Sequence, residues 1–146
     1  MNLLAYQFLE AIQTAFNNAT NSSTILPGGL WYGRAPDATI SPYGLVTIED
    51  GKKTFTTNGY FLQNLTMKIV IYSTEGIAST SIKNIAVLLS EAFDFKNADM
   101  NIANGKVVNI QPMGNLVDID SQLRESEDVV VSTFNWLIIL SGGELL

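Results

Sequence analysis

The chain has 146 residues, 47% of them hydrophobic and only 15% charged, with a net charge of −6. That length suits a single domain spanning residues 1–146, since a second would leave neither half an adequate core. Cys and His are both absent, which excludes disulfide-stapled scaffolds, thiolate nucleophiles, imidazole bases and zinc sites of the usual types.

The first predicted element is a helix. Leu4, Phe8, Leu9, Ile12, Ala15 and Phe16 recur at spacings of three and four, while Glu10 and Gln13 fall on the other side. A run rich in Asn, Ser and Thr, Asn17 to Thr24, is expected to end it. A loop-rich stretch from Pro27-Gly28-Gly29 to Pro42 follows, with Leu30-Trp31-Tyr32 as a short strand inside it. Tyr43 to Glu49 alternates as a strand, and Asp50-Gly51 predicts a hairpin turn because both positions tolerate positive φ. The return strand would carry Lys53, Phe55 and Thr57, with Asn58-Gly59 as a second tight turn.

Tyr60 to Ser73 is the clearest strand: Leu65, Met67, Ile69 and Ile71 point one way, and Asn64, Thr66, Lys68 and Tyr72 the other. Ser79 to Phe93 predicts a second helix, capped by Ser79 or Thr80, with Ile82, Ile85, Leu88, Leu89 and Phe93 on its buried face. Strands are then expected at Lys106 to Gln111 and Leu116 to Ile119, with a break at Pro112-Met113-Gly114. An acidic bend at Arg124 to Asp128 leads to a last strand, Val129 to Ser141. This order predicts an α+β fold, a mostly antiparallel sheet with two amphipathic helices packed on one face.

Few residue groups offer chemistry. Asp118-Ile119-Asp120-Ser121 is the best metal candidate if it forms a loop, yet it lacks the glycine and distal glutamate of a calcium loop. A solvated strand end is the simpler expectation. Glu125, Glu127 and Asp128 could act as paired carboxylates in a hydrolase, but such pairs need a cleft that raises one pKa. Pro27-Gly28-Gly29 and Gly142-Gly143 have no following Lys-Ser or Lys-Thr and are expected to be turns, the latter releasing the last strand. The sequons at Asn18, Asn21 and Asn64 read as incidental.

Surface composition says more. So low a charged fraction, against about 25% in an average domain, is expected where surface is hidden in a membrane or an oligomer. The longest apolar stretches, such as Trp136 to Leu140, are far short of the ~20 residues of a spanning helix, so an oligomer is the better expectation and no membrane partner is predicted. The eight Lys and Arg are scattered, with no basic stripe for specific nucleic-acid binding. The N-terminus lacks the basic start and unbroken apolar run of a signal peptide. Candidate protein-interface residues are Trp31, Tyr32 and Arg34 in the first loop and Trp136 on the last strand. The alternative for Trp31 and Tyr32 is a loop folded down over the core. Both faces of the last strand are apolar, one carrying Phe134, Trp136 and Ile138 and the other Val131, Leu137 and Ile139, so the face away from the helices should be covered by a neighbouring subunit.

Leu30-Trp31-Tyr32-Gly33-Arg34-Ala35-Pro36, then Pro42-Tyr43-Gly44-Leu45-Val46, lie between an amphipathic helix and the long strand Leu65 to Ser73, itself followed by a helix. In this ordering the chain resembles the tail-terminator or tail-completion proteins of long-tailed bacteriophages, the lambda minor tail protein U-like group. The resemblance spans most of the chain as an order of elements and is carried at residue level by those two segments alone. It implies a homo-oligomeric ring, hexameric, that caps the tail tube, ends its polymerisation and helps join tail to head. Its partners would be further copies of itself, the tail tube protein and a head-tail connector or neck protein, with genome DNA passing through the ring. It also implies no cofactor and no active site, synthesis in the host cytoplasm and residence in the virion. Two alternatives stay open: a head-completion or neck protein, and a small peptide- or carbohydrate-binding module stacking its ligand on Trp31, Tyr32 and Tyr43.

Overall fold

The computed structural model describes residues 3–56, 59–74, 79–113, 118–124 and 127–143. Helix α1 (Leu3–Asn18) and helix α3 (Ser79–Phe93) are joined by α2 (Ser22–Ile25) and strands β1 (Leu30–Tyr32), β2 (Tyr43–Phe55) and β3 (Phe61–Thr74). Strands β4 (Gly105–Pro112), β5 (Asp118–Arg124) and β6 (Glu127–Gly142) follow. They form one six-stranded sheet in the order β1-β2-β3-β6-β4, with β5 also paired to β6. Among the described residues only β1 and β2 pair in parallel; the other pairs are antiparallel. The expected α+β class is therefore the observed one.

The organising element is β6. Its 16 residues span roughly 50 Å at ~3.3 Å per residue. One side pairs with β3 from Val129 to Gly142; the other takes β4 and then β5 end to end. Strict alternation sends Phe134, Trp136, Ile138 and Leu140 into the core, beside Leu65, Met67, Ile69 and Ile71 of β3. Helix α1 covers this face with Leu4, Phe8, Ile12 and Phe16, and α3 with Ile85, Leu88, Leu89 and Phe93, all in one cluster. The apolar spacing of both helices thus does what the sequence pattern predicts. Ser79, Thr80 and Ile82 begin α3, but their side chains and any capping bond lie outside what the structure describes.

Several boundaries differ from expectation, each for a physical reason. Asp50-Gly51 is not a turn. Asp50 pairs with Leu65 and Lys53 with Gln63, so Gly51 and Lys52 together face Asn64 in a β-bulge. Glycine suits the bulge because a Cβ there would lie 2.9 Å from the Asn64 carbonyl oxygen. Lys53 and Phe55 accordingly continue β2 instead of forming a return strand. The chain reverses at 56–60, where the Thr56 N–H donates to the Tyr60 carbonyl at 2.8 Å and Gly59 takes φ 75°. Thr57 and Asn58 lie outside the described residues.

The Asn17–Thr24 run ends α1 at Asn18 as expected, and within it Ser22 to Ile25 forms the short helix α2 behind Asn21, which adopts φ 60°. In β5 the strand starts at Asp118 and runs to Arg124; the predicted start at Leu116, like Gly114, lies outside the described residues. Arg124 pairs with Glu127 on either side of the predicted acidic bend, whose middle residues Glu125 and Ser126 lie outside the described residues. Gly142 is the last residue of β6, paired to both Phe61 and Gly105, and does not release the strand early. Bulges interrupt both flanks of the sheet, at Asp50/Lys53 in β2 and at Val107/Asn109 in β4. Such irregularities discourage open-ended strand pairing.

Candidate assembly surfaces

The four residues singled out from the sequence separate into two places. Trp31, Tyr32 and Arg34 lie at the β1 edge of the sheet, with Trp31 38% and Tyr32 50% exposed. The Trp31 indole N–H donates to the Gly28 carbonyl at 2.7 Å, which holds the ring against the turn before β1. That turn is built as expected: Gly28 N–H bonds the Pro42 carbonyl at 3.0 Å, and Gly29 adopts φ 77°. A Cβ on Gly28 would collide with the Ile40 carbonyl. Arg34 reaches Asp37 at 3.6 Å, with both side chains almost fully exposed, so water screens the pair.

Trp136 is a correction. It is 1% exposed and belongs to the core, where its ring meets Phe93 edge to face at 5.4 Å. Its indole N–H donates to Asp94 Oδ1 at 2.7 Å, and Ser90 Oγ donates to the other Asp94 oxygen at 2.6 Å. The strand's alternation explains the reversal: if Trp136 packs beneath α3, Leu137 and Ile139 must point outward. These two are half-buried on the face opposite the helices, in register with Thr66 and Asn64 of β3. Leu45 and Val70 pair across β2 and β3 on the same outer face. Tyr43 and Tyr72, also paired, stack there at 5.4 Å. No helix among the described residues packs on this face. The side chain of Val131 is not described.

Two further surfaces gave little signal in the sequence. The hairpin end carries Phe55, 71% exposed, just before the 56–60 turn, and Tyr60, 57% exposed, at its close. Phe61 beside them is buried, with Lys53 Nζ 3.9 Å above its ring. The second is a groove of about 470 Å³ between α1 and the segment before β4, lined by Glu10, Ala11, Thr14, Ala15, Asn18 and Met100 among others. A smaller cavity of about 200 Å³ continues it towards Glu91, Ala92 and Lys96 of the α3 end. Gln7 and Asn104 brace the groove reciprocally: Gln7 Nε2 donates to Asn104 Oδ1 at 2.9 Å, and the Asn104 N–H donates to Gln7 Oε1 at 3.1 Å. These two residues stand 97 positions apart in the chain, so periodicity within either segment does not reveal the groove.

The residues weighed for chemistry do not converge among those described. Asp118 and Asp120 belong to a β-strand, not the loop that a cation site would need, and their side chains are not described. Glu125 lies outside the described residues, as do the side chains of Glu127 and Asp128. Among the described residues there is no cluster of three metal-ligating side chains, and no helix is long and apolar enough to cross a membrane.

No protein-family profile matches the chain, and no curated protein matches it in sequence. Solved structures do match in shape. A chain from the virion of a native gene transfer agent particle superposes with a TM-score of 0.75 at 12% identity, covering 97% of this chain and 100% of that one. A second solved structure matches more loosely, with a TM-score of 0.53 at 10% identity over 93% of each chain. At such identity the likeness is one of fold, shared end to end with a chain found in a virion.

Proposed function

We propose that this protein is a non-catalytic structural component of a phage-like virion, a subunit of a homo-oligomeric ring that caps the tail tube, ends its growth and joins tail to head. The observation that carries the reading is the end-to-end fold likeness to a chain of the gene transfer agent virion. A few shared strands would say little; a match covering the whole of both chains makes a common role in a particle the natural inference. The outer face of the sheet supports it physically. Leu45, Val70, Leu137 and Ile139 sit on a face with no covering helix among the described residues, and burying apolar area of this kind drives association by roughly 25 cal/mol per Å². A hexamer is the ring size that the sequence resemblance favours, and the tube protein and a connector or neck protein are the neighbours it implies.

Light scattering coupled to gel filtration tests the reading, with the protein alone and with the tail tube protein of the same particle. A discrete oligomer that binds tube ends and halts their elongation is the expected result. Monomer under both conditions refutes the ring. An oligomer that ignores tubes but binds the portal side of heads would move the protein to the neck.

A further inference from the structure

At Phe95 the backbone and the side chain are in conflict. This residue, just past the end of α3, adopts φ 56°, the left-handed region where a bulky side chain is an outlier and glycine is the ordinary helix-ending residue. Two backbone bonds fix it there: the Lys96 N–H donates to the Phe93 carbonyl at 3.3 Å, and the Phe95 N–H to the Ile110 carbonyl of β4 at 3.2 Å. The phenyl group gains little cover in return, being 67% exposed. An aromatic that costs local stability and still faces water is suited to a contact with another molecule.

The pairing of β4 shows where that contact lies. The Met113 N–H bonds the Asn135 carbonyl of β6, so by antiparallel alternation the polar backbone groups of Ile110 and Pro112 face away from β6. Phe95 therefore sits on the free edge of β4. On the same strand Val108 is left out of the β6 pairing by the bulge and is exposed. The bulge and the missing N–H of Pro112 oppose addition of a further strand, which leaves a contact made through side chains. The other edge of the sheet is β1, with β2, β3 and β6 in between. It too presents apolar groups to water, Trp31 and Tyr32 with Ile40 beside them.

Both flanks are large enough to be interfaces. The 16 residues of β6 and the 13 of β2 make flanks roughly 40–50 Å long at ~3.3 Å per residue. A sheet and a helix layer together are about 20 Å thick. Each flank thus measures on the order of 800 Å², the share that one standard interface takes from each partner. Edges on opposite sides of a sheet cannot meet within one molecule. In a head-to-tail array each copy uses both, and such an array closes into a ring when the rotation between copies allows it.

We propose that the assembled ring is joined edge to edge, the Phe95 and Val108 edge of each copy seated against the Trp31, Tyr32 and Ile40 edge of the next. The aromatic groups anchor the contact and the surrounding flank completes it. The proposal rests on the ring reading above and names its subunit contact.

Phe95→Gly removes the phenyl group and the strain together. The dissociated variant should melt no lower than the unaltered chain, and up to about 4 °C higher, while its association weakens at least tenfold. A marked fall in melting temperature would show that Phe95 serves its own molecule, and overturns the proposal. Tyr32→Asp spoils the other edge. Where the unaltered protein assembles, each variant alone should stay monomeric. An equimolar mixture retains one sound junction and should stop at a one-to-one dimer by light scattering. Far-UV circular dichroism checks that both variants fold. Because the chain has no cysteine of its own, Ile40→Cys mixed with Val108→Cys gives an independent readout: a bifunctional thiol reagent should link one variant to the other in preference to itself. Assembly of both edge variants like the unaltered protein, or links formed only within each cysteine variant, overturns this contact and leaves the ring intact. An unaltered protein that is monomeric with and without tubes overturns the ring reading itself.

Discussion

The Trp136–Asp94–Ser90 network offers the sharpest test of how the core is held. Trp136 is 1% exposed, so its indole N–H has no access to water and depends on Asp94 Oδ1 at 2.7 Å. Asp94 itself is half-buried just past the end of α3, and its two carboxylate oxygens accept from Trp136 and Ser90 separately. Asp94→Ala orphans the buried indole donor and strips a partner from Ser90. An unsatisfied buried donor costs about 1–3 kcal/mol, and the lost bond is of the stronger, charge-assisted kind. Ser90 is half-buried and can turn to water. A destabilisation of about 2 kcal/mol follows, worth a Tm drop of about 4–8 °C for a chain of this length.

Asp94→Asn retains a carbonyl acceptor and should cost only about 0.5–1 kcal/mol, the difference between a charged and a neutral bond. Urea unfolding followed by far-UV circular dichroism at low protein concentration, where assembly does not contribute, measures both. A cycle with Trp136→Phe completes the test, since the double variant should be less than additive by about 1 kcal/mol. Equal losses for the Ala and Asn variants, or strict additivity in the cycle, would refute the view that this hydrogen bond fixes the ring in the core.

Phe93→Ala removes the edge-to-face partner of Trp136 from a fully buried site and should cost about 3–5 kcal/mol by chemical denaturation. Two glycines separate backbone strain from crowding. Gly33→Ala meets nothing within 4 Å but must adopt φ 79°, so a loss of about 1–2 kcal/mol is expected. Gly105→Ala has ordinary φ but drives its methyl into Leu4 and the Ser141 carbonyl; it should be at least as costly and should loosen α1, visible as faster hydrogen exchange in that helix. Arg34→Ala, by contrast, should leave the melting temperature within about 1 °C, because its ion pair with Asp37 is fully screened.

The elements whose pattern repeats over many residues are legible in the amino-acid order alone. Helix α1 and helix α3 follow from apolar spacings of three and four, β3 and β6 from alternation, and the α+β class from their succession along the chain. The absence of His and Cys likewise limits the chemistry open to this chain whatever its fold. What local pattern does not contain is which side of an element meets which neighbour. Asp50-Gly51 has the residues of a turn, but strand pairing over 13 residues of β2 outweighs that preference and absorbs Gly51 as a bulge against Asn64. Trp136 has the character of a surface anchor because both faces of β6 are apolar; only the packing of α3 on one face decides that Trp136 lies inside and Leu137 outside. The α1 groove arises from segments far apart in the chain, braced by Gln7 and Asn104 across 97 positions, so it is a property of the tertiary structure alone.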